Sequence, residues 1–513
     1  MKKIPIGIQA FSSLIKEGFV YLDKTDMIYN LANTKACYFL SRPRRFGKSL
    51  TVSTLKAYFD GQKELFAGLK IEKLESKWEK YPVLIFDFNA STYKSVEDVI
   101  SRISYMLSQY EKIFGKDETA ASNSERFESL INATVAQTGK EVVVLVDEYD
   151  KPLLNNIDNK DLQDKIRTEL KAFYGVLKTC DGNIKMAFIT GVTKFSKVSL
   201  FSDVNNLTDI SQERQFSTLC GITEQEIHEQ LDDYVQQMAD VNGISKEDCY
   251  KELKKWYEGY HFSKNCVDIY NPFGLMKALY HKDFDDYWFE SGTPTFLVKE
   301  IKRNNMKLSN LDRVECDEND ISKIDNFANN PVPLLYQSGY LTIKGYDKFF
   351  KTYILGMPNR EISEAFPKFI LNFNFPKTGT EDFSITNFAR DVINGNIDGF
   401  MKRFCALLAD SSYEIVGEAE KYFQNVFYLI FKLLGFYTEV ERNTSDGRMD
   451  AVVKTPQYIY VFEFKLDAPA QEALDQINSK EYALPFSADG RKLYKVGVSF
   501  SSETRKVKEW VKE

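Results

Sequence analysis

The amino-acid sequence predicts an α/β protein in three regions, with a parallel-sheet domain and a second α/β domain flanking a mostly helical region. Between residues 36 and 190, short apolar segments alternate with segments of helical spacing, which is typical of an open parallel sheet covered by helices. Further β-like segments, a helix and a strand lie between residues 437 and 500. We expect the three regions at residues 1–220, 221–375 and 383–513.

Composition excludes several classes of protein. Of the 513 residues, 43% are hydrophobic and 27% are charged, which is the composition of a chain with a packed core. The net charge of −7 argues against a protein that coats nucleic acid by bulk charge. The longest nearly apolar run, residues 426–437, contains Lys432 and is too short to span a bilayer, so no membrane partner is expected. Scattered cysteines without CxxC spacing fit a reducing, cytoplasmic location.

The first domain is predicted from four strands and the helices between them. We expect helices at 48–58, 95–115 and 123–137. The strands are apolar on both faces, which a parallel sheet covered by helices requires. They are predicted at Ala36–Leu40, Val83–Phe88, Glu141–Val146 and Lys185–Thr190. In the middle region, helical spacing dominates at 223–260, 272–302 and 321–342, and no strong strand is expected.

The segment Arg45–Ser49 joins the first strand to the first long helix and has the composition of a phosphate-binding loop. In a P-loop, backbone N–H groups at the helix start hold phosphates, a lysine neutralises them and a Ser or Thr hydroxyl binds Mg²⁺. Lys48 and Ser49 would fill the last two roles. The full pattern requires glycine where this chain has Arg42, so a basic turn capped by Ser49 is the alternative. Arg42, Arg44 and Arg45 could bind phosphate, contact nucleic acid or line the mouth of the loop.

Asp147 and Glu148 directly follow the valine-rich strand. A buried strand that delivers one carboxylate to Mg²⁺ and a second to the attacking water has the Walker-B form. The alternative is a solvated acidic turn. Thr190 ends the next strand, where its hydroxyl could sense the terminal phosphate, and strand ends at one sheet edge are where α/β proteins bind ligands. We predict a site for ATP and Mg²⁺, with Ser49 and Asp147 on the ion.

The residues of this region resemble the AAA-ATPase-like family, which is abundant in Bacteroidetes and other anaerobes. The resemblance covers roughly residues 4–300 and rests on Pro5–Gly7, Val20–Thr25, Phe39–Leu50, Asp147–Pro152 and Tyr270–Phe273. In that family the string from Arg42 to Ser49 is the usual form of the loop. The resemblance therefore implies nucleotide binding despite the missing glycine.

A second candidate site lies on the C-terminal β-like segments, predicted at Tyr437–Glu441, Arg448–Lys454 and Tyr458–Lys465. Glu463 and Lys465 are two residues apart, so both side chains would lie on one strand face. Asp450 on the neighbouring strand could share a divalent cation with Glu463, and carboxylate oxygens suit Mg²⁺ or Mn²⁺. Alternating charged and apolar residues also describe a half-exposed strand with cross-strand ion pairs.

Residues 415–500 resemble the PD-(D/E)XK nuclease superfamily, which implies a restriction-endonuclease-like α/β fold. The resemblance assigns Asp450 and Glu463 as metal ligands and Lys465 as the catalytic lysine. It further implies that Glu420 is an auxiliary acid and that Gln476 and Tyr482 form the signature that follows the core.

Together these features predict a nucleotide-binding, Mg²⁺-dependent nuclease that acts on nucleic acid, with DNA favoured over RNA. One alternative is an ATP-dependent signalling or defence switch whose C-terminal domain binds nucleic acid without cutting it. A second is a scaffold with two degenerate sites. The sequence leaves the oligomeric state open, a homo-oligomer included.

Overall fold

The computed structural model describes residues 1–194, 201, 204, 206–291, 297, 308–318, 321, 330–374, 384–409, 419–435, 437–443 and 450–513. The chain divides into two compact units. The first contains residues 1–296 and 314–361, and the second contains residues 297–313 and 362–513.

A five-stranded sheet forms the centre of the first unit. Its strands are β1 (Cys37–Ser41), β2 (Val83–Asp87), β3 (Val142–Asp147), β4 (Ile184–Gly191) and β5 (Leu207–Asp209). They lie in the order β2-β3-β4-β1-β5, and every neighbouring pair is parallel. The predicted parallel sheet is therefore confirmed. Because all strands run in one direction, β1 to β4 end at the same edge.

Helices pack on this sheet and extend beyond it. They are α1 (Phe11–Lys16), α2 (Thr25–Ala32), α3 (Lys48–Phe59), α4 (Val96–Phe114), α5 (Asn123–Thr138), α6 (Lys151–Leu154), α7 (Lys160–Thr179), α8 (Glu224–Gln230), α9 (Asp232–Asn242), α10 (Lys246–Tyr257), α11 (Pro272–His281), α12 (Tyr287–Glu290) and α13 (Val332–Gln337). Helices α4 and α5 begin with capping boxes. Ser95 and Ser122 each accept the amide N–H three residues on, and the acidic side chain there accepts the amide of the serine.

Where the structure describes it, the middle of the chain is largely helical, as predicted, but it also contains strands. The predicted helical stretches at 272–302 and 321–342 lie partly outside the described residues. An antiparallel sheet joins β6 (Val314–Asp317), β7 (Thr342–Asp347) and β8 (Thr352–Gly356) in the order β6-β8-β7. The expectation that this region lacks a strong strand is wrong. The strands are short, and the pairing of β7 with β8 shifts register between Ile343 and Gly345, which interrupts the alternation that would identify a strand.

The second unit is built on a five-stranded mixed sheet. Its strands are β9 (Glu439–Asn443), β10 (Asp450–Lys454), β11 (Tyr458–Leu466), β12 (Lys492–Phe500) and β13 (Val507–Lys512), in the order β13-β12-β11-β10-β9. Strands β11 and β12 are parallel, and the other neighbours are antiparallel. The three segments predicted around the second candidate site therefore form adjacent strands, whereas β13 was not predicted.

Aromatic side chains form the core of this unit. Its helices are α14 (Arg360–Asn374, of which residues from 362 belong here), α15 (Ile385–Ile393), α16 (Ile397–Ala409), α17 (Ala419–Leu434) and α18 (Ala470–Ser479). On β11, Phe462 packs against Phe431, and Phe464 packs against Phe427, with ring centroids 5.4 and 4.4 Å apart. Helix α17 thus covers the central strand. Within the described ranges, no helix combines the length and apolar character needed to cross a bilayer.

Candidate functional site

The turn between β1 and α3 has the backbone geometry of an anion-binding loop. Gly47 precedes the first residue of α3 and has a φ of 96°, in the left-handed region that glycine adopts without strain. Arg45 also has a positive φ, 66°, which is unusual for a non-glycine residue. The first amide N–H groups of a helix have no intrahelical partner, so the turn places free donors at the carboxyl edge of the sheet.

Lys48 is folded against this loop. Its ammonium group donates hydrogen bonds of 2.9 Å to the carbonyl oxygens of Arg42 and Pro43. The side chain is buried, and this burial lowers the pKa of Lys48, while Asp147 and Glu148 act in the opposite direction. The lysine is therefore held at the loop, close to the carboxylates at the end of β3.

The three arginines of the loop differ in their surroundings. Arg42 is 2% exposed and donates to the carbonyl oxygens of Ser211 and Phe216, at 2.7 and 3.2 Å. It ties the end of β1 to the segment after β5, which explains a large side chain at the position of the usual glycine. Arg44 and Arg45 are exposed and line the mouth of the loop.

Phe46 anchors the loop in the core. Its side chain is 1% exposed and packs edge-on against Tyr260 and Phe262, with ring centroids 4.9 and 5.4 Å apart. Phe46 thus positions the loop backbone, and its predicted role in cofactor binding stays a prediction.

Asp147 and Thr190 meet at the carboxyl edge of the sheet. The Thr190 hydroxyl donates a hydrogen bond of 2.6 Å to Oδ1 of Asp147, and the amide of Glu148 donates to the same oxygen at 3.1 Å. Glu148 has a positive φ of 51°, a strained conformation of the kind found at functional sites. Burial raises the pKa of Glu148, Lys48 opposes that rise, and Asp150 adds to it. A carboxyl group with a raised pKa suits a general base.

Asp150, which sequence reasoning did not single out, fixes this arrangement. Its carboxylate accepts the amides of Val192 and Thr193, at 3.1 and 2.6 Å, and the Thr193 hydroxyl at 2.5 Å. Only a residue without a Cβ fits at Gly191, because a Cβ there would lie 2.5 Å from the Tyr149 ring. The acidic turn after β3 thus holds the end of β4 in place. The sequence feature that could have indicated this role is the second aspartate of the turn.

A cavity of about 440 Å³ opens at the loop. Its polar lining includes Lys48, Ser49, Asn89 and Glu148, together with further polar side chains such as Lys24, Thr51 and Lys151. Its apolar lining includes Ile6, Ile8, Leu22, Ile222, Phe273 and Met276. The cavity therefore offers polar groups suited to phosphates and apolar surface suited to a flat, weakly polar group.

Trp288 contacts the loop from outside the sheet. Its indole N–H donates a hydrogen bond of 2.9 Å to the carbonyl oxygen of Arg44. Its own amide donates to Oε1 of Glu361 at 2.6 Å, and the amide of Phe289 donates to the same atom at 3.2 Å. Trp288 is buried, and no feature of the sequence indicates its bond to the loop.

In the second unit, Asp450 and Glu463 are directly opposite each other in the pairing of β10 with β11. The side chain of Asp450 lies outside what the structure describes, so only its backbone position is placed. Glu463 is fully buried on the central strand. Directly opposite residues occupy the same face of a sheet, so the backbone register places positions 450 and 463 on one face.

Lys465 and Gln476 lie beside Glu463. The ammonium group of Lys465 is 3.6 Å from Oε1 of Glu463 and donates a hydrogen bond to Oε1 of Gln476. Helix α18 carries Gln476, and Tyr482 beyond it packs on the apolar cluster beneath the helix. Glu420 lies in the first turn of α17, and its side chain is outside the described structure. Among the described side chains, no group of three His, Cys, Asp or Glu residues could hold a metal.

The first unit is a phosphate-loop nucleotide-binding fold, and the second is a nuclease-type mixed sheet. Residues 5–201 match the family model described as predicted AAA-ATPase, and residues 418–510 match that of the PD-(D/E)XK nuclease superfamily. Over 523 aligned residues, the chain is 35% identical to a protein of Azotobacter chroococcum mcd 1 called "Uncharacterized protein in vnfD 5'region", covering 100% of this chain and 99% of that one. The chain therefore belongs to the same family as this relative, and it carries an AAA-ATPase-like domain followed by a C-terminal domain of the PD-(D/E)XK nuclease superfamily.

Proposed function

We propose that this protein binds ATP in its first unit and cleaves phosphodiester bonds of nucleic acid, DNA in preference to RNA, in its second. The observation that carries the nuclease proposal is the pairing of Asp450 with Glu463 on adjacent strands. Lys465 and Gln476 extend that pair into the side-chain set expected of the superfamily.

The donor chemistry of the second unit suits a hard divalent cation. Asp450 and Glu463 would hold Mg²⁺ or Mn²⁺, because both offer carboxylate oxygens from a rigid central sheet. A bound ion there supplies Lewis-acid stabilisation of the charge that develops on the scissile phosphate. Lys465 orients the attacking water, and its hydrogen bond to Gln476 keeps the ammonium group directed at the site. Glu420 is proposed as an auxiliary acid.

The first unit offers a cavity suited to ATP. The amides after Gly47 and the ammonium group of Lys48 would bind phosphates, while Ser49 and Asp147 would hold Mg²⁺. Glu148 would accept a proton from the attacking water, a role that its raised pKa supports. The apolar wall of the cavity supports binding of the base.

Coupling between the two activities is proposed from their presence in one chain. In this proposal the nucleotide state of the first unit controls cleavage by the second. If Lys48→Ala abolishes ATP binding but leaves the cleavage rate and substrate range unchanged, the two activities are independent.

The decisive experiment incubates plasmid and single-stranded DNA with the purified protein and Mg²⁺ or Mn²⁺. Cleavage is expected from the wild type and not from Asp450→Ala. Glu439→Ala is the matched control, because Glu439 is an exposed carboxylate at the opposite end of the same group of strands and should leave cleavage intact. Cleavage that survives Asp450→Ala would refute the assignment. Binding of DNA without cleavage by the wild type would favour the alternative of a non-cutting switch.

A further inference from the structure

The hairpin between β7 and β8 ends in two strongly exposed aromatic side chains. Phe349 is 86% exposed and Phe350 is 71% exposed, the two highest values among the large apolar side chains of the described residues. Removing a phenylalanine side chain from water contributes about 1.5–3 kcal/mol, so exposing two adjacent ones forgoes a considerable stabilisation. Adjacent exposed apolar groups of this kind mark interaction sites.

The tip that carries them is ordered by its own hydrogen bonds. Oδ1 of Asp347 accepts the amides of Phe349 and Phe350, at 2.8 and 2.9 Å. Lys351 closes the turn with a φ of 55°. The two phenyl rings are 4.9 Å apart and nearly perpendicular, at 89°. The rings are therefore presented in a defined orientation.

The base of the hairpin is also rigid. Tyr346 and Tyr353 pair across the two strands with ring centroids 5.1 Å apart, and the ammonium group of Lys264 lies 4.4 Å from the Tyr346 ring. The Tyr346 hydroxyl and Lys264 both donate to the carboxylate of Glu318. This network links the base of the hairpin to the rest of the unit and pairs the Glu318 carboxylate with Lys264.

Lysines flank the aromatic pair on both sides, at positions 348 and 351. Aromatic side chains bind unpaired bases by stacking, and lysines beside them bind the intervening phosphates. Because the phenyl rings are perpendicular, each can offer a face to a different base, whereas bases within a duplex are already stacked on each other. We propose that Phe349 and Phe350 form a stacking element for single-stranded nucleic acid. This inference rests on the proposed action of the chain on nucleic acid, which favours that partner over a lipid surface.

The test measures binding of a fluorescein-labelled oligothymidylate to the full-length chain by fluorescence anisotropy, in an Asp450→Ala background so that the probe stays intact. The double variant Phe349→Ala/Phe350→Ala should weaken binding by about tenfold or more, since stacking contributes about 1–3 kcal/mol per base. Phe349→Trp/Phe350→Trp should retain binding. Tyr280→Ala is the matched control, because Tyr280 is another exposed aromatic residue of the first unit, at 57%, and its removal should have no effect.

A second measurement addresses the lysines. Lys348→Gln/Lys351→Gln should make binding less dependent on salt, because each lost phosphate contact reduces the slope of log K against log salt by about 0.7 for single strands. An unchanged slope would contradict the role of the lysines in the proposed element.

Three outcomes would overturn the proposal. One is unchanged oligothymidylate binding by the double alanine variant, and another is no binding by the parent chain. The third is phenylalanine-dependent sedimentation with vesicles of phosphatidylserine and phosphatidylcholine while DNA binding is unaffected. Plasmid cleavage by the chain with Asp450 intact is measured separately. If the chain with Asp450 intact cleaves plasmid and the double alanine variant still binds oligothymidylate, only the proposed stacking element is refuted. If the double alanine variant loses binding and the chain with Asp450 intact does not cleave, only the nuclease proposal is refuted.

Discussion

The hydroxyl of Thr190 donates a hydrogen bond of 2.6 Å to Oδ1 of Asp147, although the two residues are 43 positions apart in the chain. Both groups are buried, and neighbouring parallel strands bring them together at the same sheet edge. The bond fixes one oxygen of the carboxylate that we propose as a ligand of the nucleotide-bound Mg²⁺.

Thr190→Val removes this hydrogen bond while keeping the shape of the side chain. Residues that orient a metal ligand typically contribute about 10- to 100-fold to metal affinity or activity. We therefore expect the affinity for ATP in the presence of Mg²⁺ to decrease by about 10- to 100-fold. Without Mg²⁺ the affinity for ATP should change little. Both affinities are measured by titration calorimetry. Thr190→Ser keeps the hydroxyl and should behave as the wild type. An equal loss in both conditions would indicate a general defect of the fold.

Lys48→Ala should weaken ATP binding by about tenfold to a hundredfold, because hydrogen bonds to charged groups contribute about 1.5–3 kcal/mol. The measurement is titration with a fluorescent ATP analogue. Lys56→Ala is the control on the same helix, since Lys56 pairs with Asp60 near the other end of α3, away from the loop. Equal effects of the two substitutions would contradict a specific role of Lys48.

Gly191→Ala should destabilise the first unit. A Cβ at this position would lie 2.5 Å from the Tyr149 ring and 2.6 Å from Oδ1 of Asp150, so the clamp on the end of β4 must shift. Overpacking of this kind costs about 1–3 kcal/mol, which denaturant unfolding would detect. Gly175→Ala is the matched control, since α7 leaves open space for its Cβ and helix propensity favours alanine by up to about 1 kcal/mol. A Gly191→Ala variant as stable as the wild type would show that the turn adapts.

Strands buried on both faces were predictable from sequence, because a run such as residues 142–146 is apolar throughout. Helix α7 was missed because its first half is rich in charge, although Ile166, Leu170, Phe173 and Leu177 follow a helical period on its buried face. Strand β5 has only three residues, too few for any periodicity to be visible.

At the candidate sites, sequence reasoning predicted which elements meet but not the contacts between residues far apart in the chain. The predicted loop and strand ends meet at one edge because parallel topology requires it. The sequence indicated that Asp450 and Glu463 lie on neighbouring strands, but their direct pairing depends on a register that only the structure gives. The long-range contacts of Arg42 were beyond sequence reasoning, because two of its acceptors are carbonyl oxygens 169 and 174 positions away. The hydrogen bond from the Trp288 indole to the carbonyl oxygen of Arg44 spans 244 positions, so it was equally beyond sequence reasoning.

Stability of the first unit should fall as the pH rises from about 5 to above 8, with Glu361 as one cause. Burial raises the pKa of Glu361 to about 8, well above the ordinary value of a glutamate in the unfolded chain. The folded state therefore binds the proton more tightly, and the stabilisation is complete below the unfolded pKa and lost as the pH passes the folded pKa.

Glu361→Gln mimics the protonated side chain and can still accept the amides of Trp288 and Phe289. The variant should therefore lose less stability than the wild type over this pH range, measured as melting temperature at each pH. Glu252→Gln serves as the control, because Glu252 is a more exposed carboxylate of the same unit. Parallel curves for the wild type and Glu361→Gln would show that Glu361 does not contribute to the pH dependence.

Addition of Mg²⁺ or Mn²⁺ without nucleotide should stabilise the second unit through Glu463. A ligand that binds only the folded state, at a hundred times its dissociation constant, adds about 2.7 kcal/mol, which thermal unfolding detects. Glu463→Gln keeps the size of this buried side chain but removes the charge that attracts the ion, so its melting temperature should no longer respond to metal. Asp147→Asn, in the first unit, should keep the full response and thereby separates the two proposed metal sites. If Glu463→Gln responds to metal as the wild type does, the ion binds elsewhere, and the shared face of Asp450 and Glu463 is not its site.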